Sequence, residues 1–253
     1  MKIKSVSAFY DNYIWLILDE DSGECCCVDP GEAEPVLRFL QREDFRLKAI
    51  LLTHHHHDHI GGTIELIQKY PNLSIYGPAD NRIPNLTHVM KDGDYLNKLS
   101  CRFQILATPG HTSTHISYYE PNLGWLFCGD TLFSAGCGRV FDGTIEELHD
   151  SLQTLRNLPD ETEVYCAHEY TQKNLRFAAK VEPENQTIRN YAHRLIAKEN
   201  QISLPSSIAV EKQINPFFRT QEEAVQAFAL NNGSKDKDSL SVFKRLRSEK
   251  DHF

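Results

Sequence analysis

Residues 51–62 read LLTHHHHDHIGG, and the rest of the chain is organised around them. Lys48 to Thr53 is leucine-rich and β-branched and predicts a strand. The Gly61-Gly62 pair then opens a helical pattern from Thr63 to Tyr70. The histidines therefore fall on a strand-to-helix turn, where side chains can converge on a cleft instead of entering the core. In the extended part His54 and His56 alternate onto one side. Asp58 and His59 follow where the backbone curls, so the two pairs address different positions. Two neighbouring metal ions are the natural reading, because imidazole suits zinc or iron and a carboxylate among imidazoles adds a hard oxygen donor suited to hydrolytic divalent metals. A histidine tract can also be a surface run or a purification tag. Against that, this run is internal, carries an aspartate at a fixed place, and is bracketed by an apolar strand and a glycine pair.

Upstream, Lys2 to Ala8, Tyr13 to Leu18 and Glu24 to Val28 predict three short strands of a meander. Asp29-Pro30-Gly31 breaks that pattern, and Pro35 to Gln41 predicts a short amphipathic helix before the histidine turn. Downstream come a strand at Leu73 to Tyr76 and a turn at Asp92-Gly93-Asp94. Cys101 to Ala107 then runs into Thr108-Pro109-Gly110-His111-Thr112, where the Pro-Gly turn thrusts His111 toward the same cleft. A lone histidine is more often structural, but this one repeats the strand-end placement. His115 to Tyr119 and Gly124 to Cys128 pair and close on Asp130, either a turn cap or a carboxylate whose two oxygens each bind one ion. Glu163 to Ala167 ends at His168. Thr144 and Glu147 form a capping box for a helix from Ile145 to Leu158. Strand ends thus deliver His54, His56, Asp58, His59, His111, Asp130 and His168, and two ions sharing them keep positions open for a water or hydroxide held by both. Histidines 55, 57, 88, 115, 149, 193 and 252 lack this placement and are expected to be supporting or surface residues.

At 253 residues with 40% apolar content, one large domain plus a smaller appendage is expected. Ile14 to Leu18 is cut short by Asp19 and Glu20, far from a membrane span, and the N-terminus lacks the apolar core of a signal peptide. The seven cysteines lie mostly in apolar, strand-like stretches and contain no C-x-x-C, so they predict reduced core thiols and a cytoplasmic protein. A net charge of -8 argues against nucleic acid or anionic membrane as partner and requires a local basic patch for any anionic substrate. In the tail, Glu184 to Asn200, Thr220 to Leu230 and Asp238 to Lys250 predict helices. Arg247 and Lys250, three apart, share a face of the last, as a solvated basic end or as a clamp for one anion.

Thr53 to His59 is the T-H-x-H-x-D-H signature, and with it the chain resembles the metallo-β-lactamase superfamily. Asp11-Asn12-Tyr13, TPGHT at 108–112, CGDTLF at 128–133, GCGR at 136–139 and CAHEYT at 166–171 narrow the resemblance to glyoxalase II, the hydroxyacylglutathione hydrolases. The resemblance implies an α/β fold, an αββα sandwich over residues 1–170, with a small helical substrate-binding domain at 171–253. It implies that His54, His56 and His111 hold one divalent ion and Asp58, His59 and His168 the other, with Asp130 shared and the carboxylates Asp58 and Asp130 catalytic. Zinc is the first expectation, with iron or manganese also accepted by such a set. The implied substrate is a small-molecule glutathione thioester, S-D-lactoylglutathione, hydrolysed to D-lactate and glutathione by a monomeric enzyme in the second step of methylglyoxal detoxification. Its implied contacts are Arg139, Tyr170, Asn174, Arg247 and Lys250. Phe141 stands where a tyrosine often contributes a hydroxyl, which bears on affinity more than on chemistry. A lactonase or β-lactamase would leave the C-terminal basic pair without a purpose, and a mononuclear iron oxygenase needs fewer ligands. A metal-binding scaffold without activity would keep the same fold.

Overall fold

The computed structural model describes residues 1–196 and 202–253. They divide into one unit of Met1–Ala107 with Thr114–Gly129 and another of Thr108–Ser113 with Asp130–Phe253. In the first unit β1 (Lys2–Ala8), β2 (Asn12–Asp19) and β3 (Glu24–Val28) form the expected antiparallel meander. The apolar run Ile14 to Leu18 is buried throughout, as a strand covered on both faces requires. The chain crosses over through α1 (Ala33–Glu43) to β4 (Arg46–Leu51), which lies parallel to β3. α2 (His57–Ile60) and α3 (Thr63–Lys69) then lead to β5 (Ser74–Pro78) and β6 (His88–Met90), completing a sheet ordered β1-β2-β3-β4-β5-β6. α1 buries Val36 and Leu40 in a core with Leu16, Ile50 and Leu66, each such side chain contributing about 1.5–3 kcal/mol.

β7 (Tyr95–Lys98), β8 (Cys101–Ala107), β9 (Ile116–Glu120) and β10 (Trp125–Gly129) pair antiparallel in the order β10-β9-β8-β7. Tyr118 of β9 ties these strands to the first sheet, its buried hydroxyl lying 2.9 Å from the Leu52 carbonyl and 3.2 Å from that of Tyr76. What positions chemistry here is the parallel β3/β4 pair. Val28 is in register with Leu51, so the two strands end side by side and the residues beyond them meet.

In the second unit β11 (Leu132–Phe133) and β12 (Gly136–Cys137) form a short hairpin. α4 (Ile145–Arg156) follows, with both bonds of the Thr144/Glu147 capping box present. β13 (Glu163–Cys166) runs into α5 (Thr171–Val181) and α6 (Gln186–Ile196). β14 (Ser206–Ser207) pairs with β13 and leads to α7 (Ile208–Ile214), α8 (Glu223–Asn231) and α9 (Ser239–Asp251). The predicted helix from Glu184 to Asn200 is α6; its end at 197–200 lies outside the described residues. The predicted helix from Thr220 starts later, because Glu222 first closes a turn on the Arg219 carbonyl. α5 and α7 carry no start signal strong enough to be read. Tyr170 at the head of α5 makes no side-chain cap, and α7 is 7 residues long.

The second compact unit takes in residues from Asp130 on, ahead of the helices that follow residue 170. Ala135 of the hairpin turn shares one apolar cluster with Leu175, Ala178, Ile188 and Ile214 of the helices, which draws the segment after Gly129 into the helical unit. All seven cysteines are buried thiols. Burial pushes Cys25 up to about 12 and Cys101 and Cys137 up to about 11, the inert core role expected of them. Among the described residues no helix is long and apolar enough to cross a membrane.

Candidate metal centre

The histidine turn of the first unit is held by one residue that the sequence left as a turn breaker. Asp29, the first residue beyond β3, adopts a left-handed conformation (φ 50°) and is buried. Its carboxylate accepts from Thr53 N at 2.8 Å, from Thr53 Oγ1 at 2.7 Å and from His59 Nδ1 at 3.0 Å. Because the Thr53 hydroxyl hydrogen is committed to Asp29, its oxygen accepts from His54 Nδ1 at 3.0 Å. Both imidazoles therefore carry their proton on Nδ1 and keep a lone pair on Nε2, an assignment that follows from the hydrogen-bond network. One of those lone pairs meets a further acceptor and the other a ring nitrogen of the same turn. His54 Nε2 lies 3.0 Å from His56 Nδ1, and His59 Nε2 lies 3.6 Å from Asp58 Oδ2. Asn12 fixes that carboxylate from β2, its amide 3.0 Å from Asp58 Oδ2. His115 stacks on His54 at 4.8 Å, the supporting place expected of it. Gly129 (φ 46°) ends β10 against this turn, where a Cβ would lie 2.4 Å from Thr53 Oγ1.

The second unit gathers His111, Asp130 and His168 from three separate places in the chain. His111 Nδ1 donates to the Arg139 carbonyl at 2.8 Å, which leaves the lone pair on Nε2. That nitrogen is 3.5 Å from Asp130 Oδ2, while the other oxygen, Oδ1, is 3.4 Å from His168 Nε2. One carboxylate thus presents a different oxygen to each of two imidazoles, the arrangement a bridging ligand requires. His168 stacks flat on Tyr170, 4.7 Å apart at 7°. Gly138 lets the chain return past Asp130, since a Cβ there would stand 2.0 Å from the Asp130 carbonyl oxygen. In both units carboxylate oxygens confront imidazole lone pairs. Acceptors facing acceptors repel unless a cation lies between them, so the donor set fits divalent ions of the zinc, iron or manganese kind.

The expected substrate contacts all lie in the second unit, and they differ in availability. The Arg139 side chain is exposed, with Nε 3.3 Å from Asp251. Tyr170 is half-buried and Phe141 is 65% exposed, its ring edge-on to His111 at 5.2 Å. Arg247 is 5% exposed, its Nη1 3.1 Å from the Cys137 carbonyl and 3.4 Å from that of Gly138, and its Nη2 3.0 Å from Asp251. Asn174 is buried too, donating to the Ser134 carbonyl at 3.0 Å. Both of these side chains spend donors on the backbone of the hairpin. Lys250 is half-buried over the rings of Phe177 and Phe253, at 5.2 and 5.3 Å. Burial first, then the charges of Arg247, Lys173 and Arg139, push its ammonium down to about 8.

Residues 9–99 and 101–168 match the metallo-β-lactamase superfamily, and residues 169–253 match the hydroxyacylglutathione hydrolase C-terminus. The hydroxyacylglutathione hydrolase of Legionella pneumophila (strain Corby) is 56% identical over 253 residues, covering 100% of both chains. The chain belongs to the hydroxyacylglutathione hydrolase family. The hydroxyacylglutathione hydrolase of Vibrio cholerae serotype O1 (strain ATCC 39541) is 50% identical over 255 residues, again with 100% of both chains covered. The crystal structure of ETHE1 from Myxococcus xanthus matches with a TM-score of 0.65 and 30% identity over 85% of this chain and 84% of that one, so the fold is that of the metallo-β-lactamase superfamily. The seven residues expected at the metal centre lie in the portion that matches the superfamily, and Lys250 lies in the portion that matches the family's C-terminus.

Proposed function

We propose that the protein hydrolyses S-(2-hydroxyacyl)glutathione thioesters, S-D-lactoylglutathione foremost, to the 2-hydroxy acid and glutathione at a centre of two divalent ions. His54, His56 and His111 hold one ion and Asp58, His59 and His168 the other, with Asp130 shared. The observation that carries this is the double-faced Asp130, each oxygen within 3.5 Å of a different histidine Nε2, in a chain of this family. When bound, the ions supply Lewis acidity, lowering the pKa of coordinated water toward neutrality and polarising the thioester carbonyl. The rest falls to the protein. Asp29 keeps the Nε2 lone pairs of His54 and His59 available, directly and through Thr53. Asn12 orients Asp58, and the Arg139 carbonyl orients His111. The leaving group is a thiolate whose parent thiol has a pKa of about 8.5, so no strong general acid is needed. Arg139, Tyr170 and Lys250 bind the peptide portion with its two carboxylates, remote from the reacting carbon. Asn174 and Arg247 support that surface from beneath. The buried thiols fit a cytoplasmic enzyme, and the net charge of -8 fits a small-molecule substrate rather than nucleic acid. The test is elemental analysis of the purified protein beside a hydrolysis assay. Close to two equivalents of zinc, iron or manganese with turnover of S-D-lactoylglutathione is expected; a metal-loaded protein inert toward that thioester would overturn the reading.

A further inference from the structure

We infer that Glu211 is a positioning residue for the metal centre, acting through the hairpin that carries Asp130 at one end and the Arg139 carbonyl at the other. The inference rests on the assignment of His111 and Asp130 as ligands. β11 and β12 have two residues each, too few to hold a hairpin by their own ladder. The turn between them places Ala135 in the left-handed region (φ 56°), unfavourable for a residue with a Cβ. Both deficits are met from α7. Glu211, fully buried, accepts from Ser134 Oγ at 2.9 Å, from Ala135 N at 2.8 Å, from Asn215 Nδ2 at 3.0 Å and from Ser206 Oγ. Four donors match the four lone-pair sites of a carboxylate, so the group is saturated by the turn and its surroundings. Asn215 extends the grip to the Gly136 carbonyl at 2.9 Å. From this anchored tip the register Leu132 to Cys137 leads back to the base. There Gly138 N meets the Thr131 carbonyl at 3.2 Å and the Arg139 carbonyl accepts a hydrogen bond from His111 Nδ1. A turn released at 134–135 lets residues 130 and 139 drift independently, and with them the facing of Asp130 to His111.

The test compares Glu211→Ala and Glu211→Gln with Arg219→Ala. Arg219 makes a bidentate ion pair with Glu182 in the same unit, at 2.8 and 2.9 Å, and donates to the Lys212 carbonyl of α7 at 3.0 Å, so its loss perturbs the same helix without removing a bond to the hairpin. Zn2+ affinity is measured by competition with a chromogenic chelator, without substrate, and the melting temperature is measured alongside. Glu211→Ala is expected to weaken Zn2+ binding about 10–100-fold, the range for groups that orient metal ligands, with kcat falling and KM unmoved. Glu211→Gln, which keeps an acceptor for Ala135 N, restores most of it. Arg219→Ala, at a comparable loss of melting temperature, keeps native affinity. Equal Zn2+ affinity in Glu211→Ala and the native protein, or equal losses in Glu211→Ala and Arg219→Ala, would overturn the inference. Should the alanine chain not fold, Ser134→Ala, which removes one donor, takes its place with a several-fold weakening expected against none. A native protein that binds zinc but spares the thioester would sink the proposed substrate and leave this inference standing.

Discussion

The histidine turn at Thr53–His59 and the hairpin at Asp130–Arg139 reach the same kind of chemistry by opposite means. In the turn, four donors arrive within six residues and a single carboxylate from the neighbouring strand, Asp29, fixes two tautomers at once. In the hairpin segment the donors His111, Asp130 and His168 are far apart in sequence. Their support is drawn from α5, α7 and α9 through Asn174, Glu211, Asn215 and Arg247. A compact motif is held by strand ends that the sheet already places; a dispersed one needs dedicated buried polar contacts. The first is economical in residues, the second in constraint on any one of them.

The largest effect that separates the two is expected at Asp130. Asp130→Ala removes the only carboxylate in the hairpin segment that faces two imidazoles, so two-equivalent metal loading and turnover should fall together. The loss in kcat should be on the order of 10^3-fold or more, several kcal/mol of charge stabilisation. Full activity with full loading would break the scheme. A smaller loss is expected at Asp29, which holds two of the proposed ligands by their Nδ1 side, directly and through Thr53. Asp29→Ala should weaken zinc about 10–100-fold by chelator competition, in proportion to the freed His54 and His59 rings. An unchanged affinity would show that the turn holds its tautomers unaided.

The same contrast explains what could be read from the chain alone. The turn was legible because its proposed ligands are nearly contiguous and sit between an apolar strand-like run and a helical pattern opened by a glycine pair. Asp29 was not, because in sequence Asp-Pro-Gly marks a turn and nothing local shows that β3 ends beside β4; that adjacency comes from a parallel crossover. His111, Asp130 and His168 were found one at a time, as histidines or aspartate just past strand ends. Glu211 and Asn215 were invisible, since α7 is short and a glutamate on a helix ordinarily faces water. Spacing puts Arg247 and Lys250 on one face of the last helix. Spacing does not say whether a face is covered, and Arg247 lies under the packed side of α9.

That burial divides a pair which the sequence leaves as either a solvated basic end or a clamp for one anion. Arg247→Ala strips the Cys137 and Gly138 carbonyls of a donor. It should cost about 2–4 kcal/mol and lower the melting temperature by roughly 5–15 °C. Lys250→Ala should leave the melting temperature nearly unchanged and raise KM by about 10-fold at pH 7, with kcat preserved, as for an anchor remote from the reacting carbon. The pH dependence gives the sign. Folded Lys250 titrates near 8, below its ordinary 10.5, so its ammonium is charged at pH 7 and discharges as pH rises through about 8. KM should therefore climb above that pH in the native enzyme and stay flat in Lys250→Ala. Between those two values the unfolded chain binds the extra proton, so this group's contribution to stability grows with pH across the same window, opposite in direction to affinity. A KM profile unchanged from pH 7 to 9.5 would remove Lys250 from the binding surface.

The smallest effect is expected at Phe141, and it sharpens the division between support and contact. The ring is 65% exposed and its edge lies against His111 at 5.2 Å and 80°, so it neither fills the core nor holds a proton. Phe141→Tyr adds a hydroxyl to a ring that already stands in solvent, with no burial cost and no change in the edge contact. A neutral hydrogen bond gained with the thiol-bearing portion of a glutathione thioester is worth about 0.5–1.5 kcal/mol, which lowers KM by roughly 2–12-fold and leaves kcat alone. Steady-state constants for S-D-lactoylglutathione measure both at once. A fall in kcat would mean that Phe141 steadies the His111 ring, shifting this position from the contact surface to the support of the hairpin; a fall in KM alone keeps it where an exposed aromatic belongs, against the substrate.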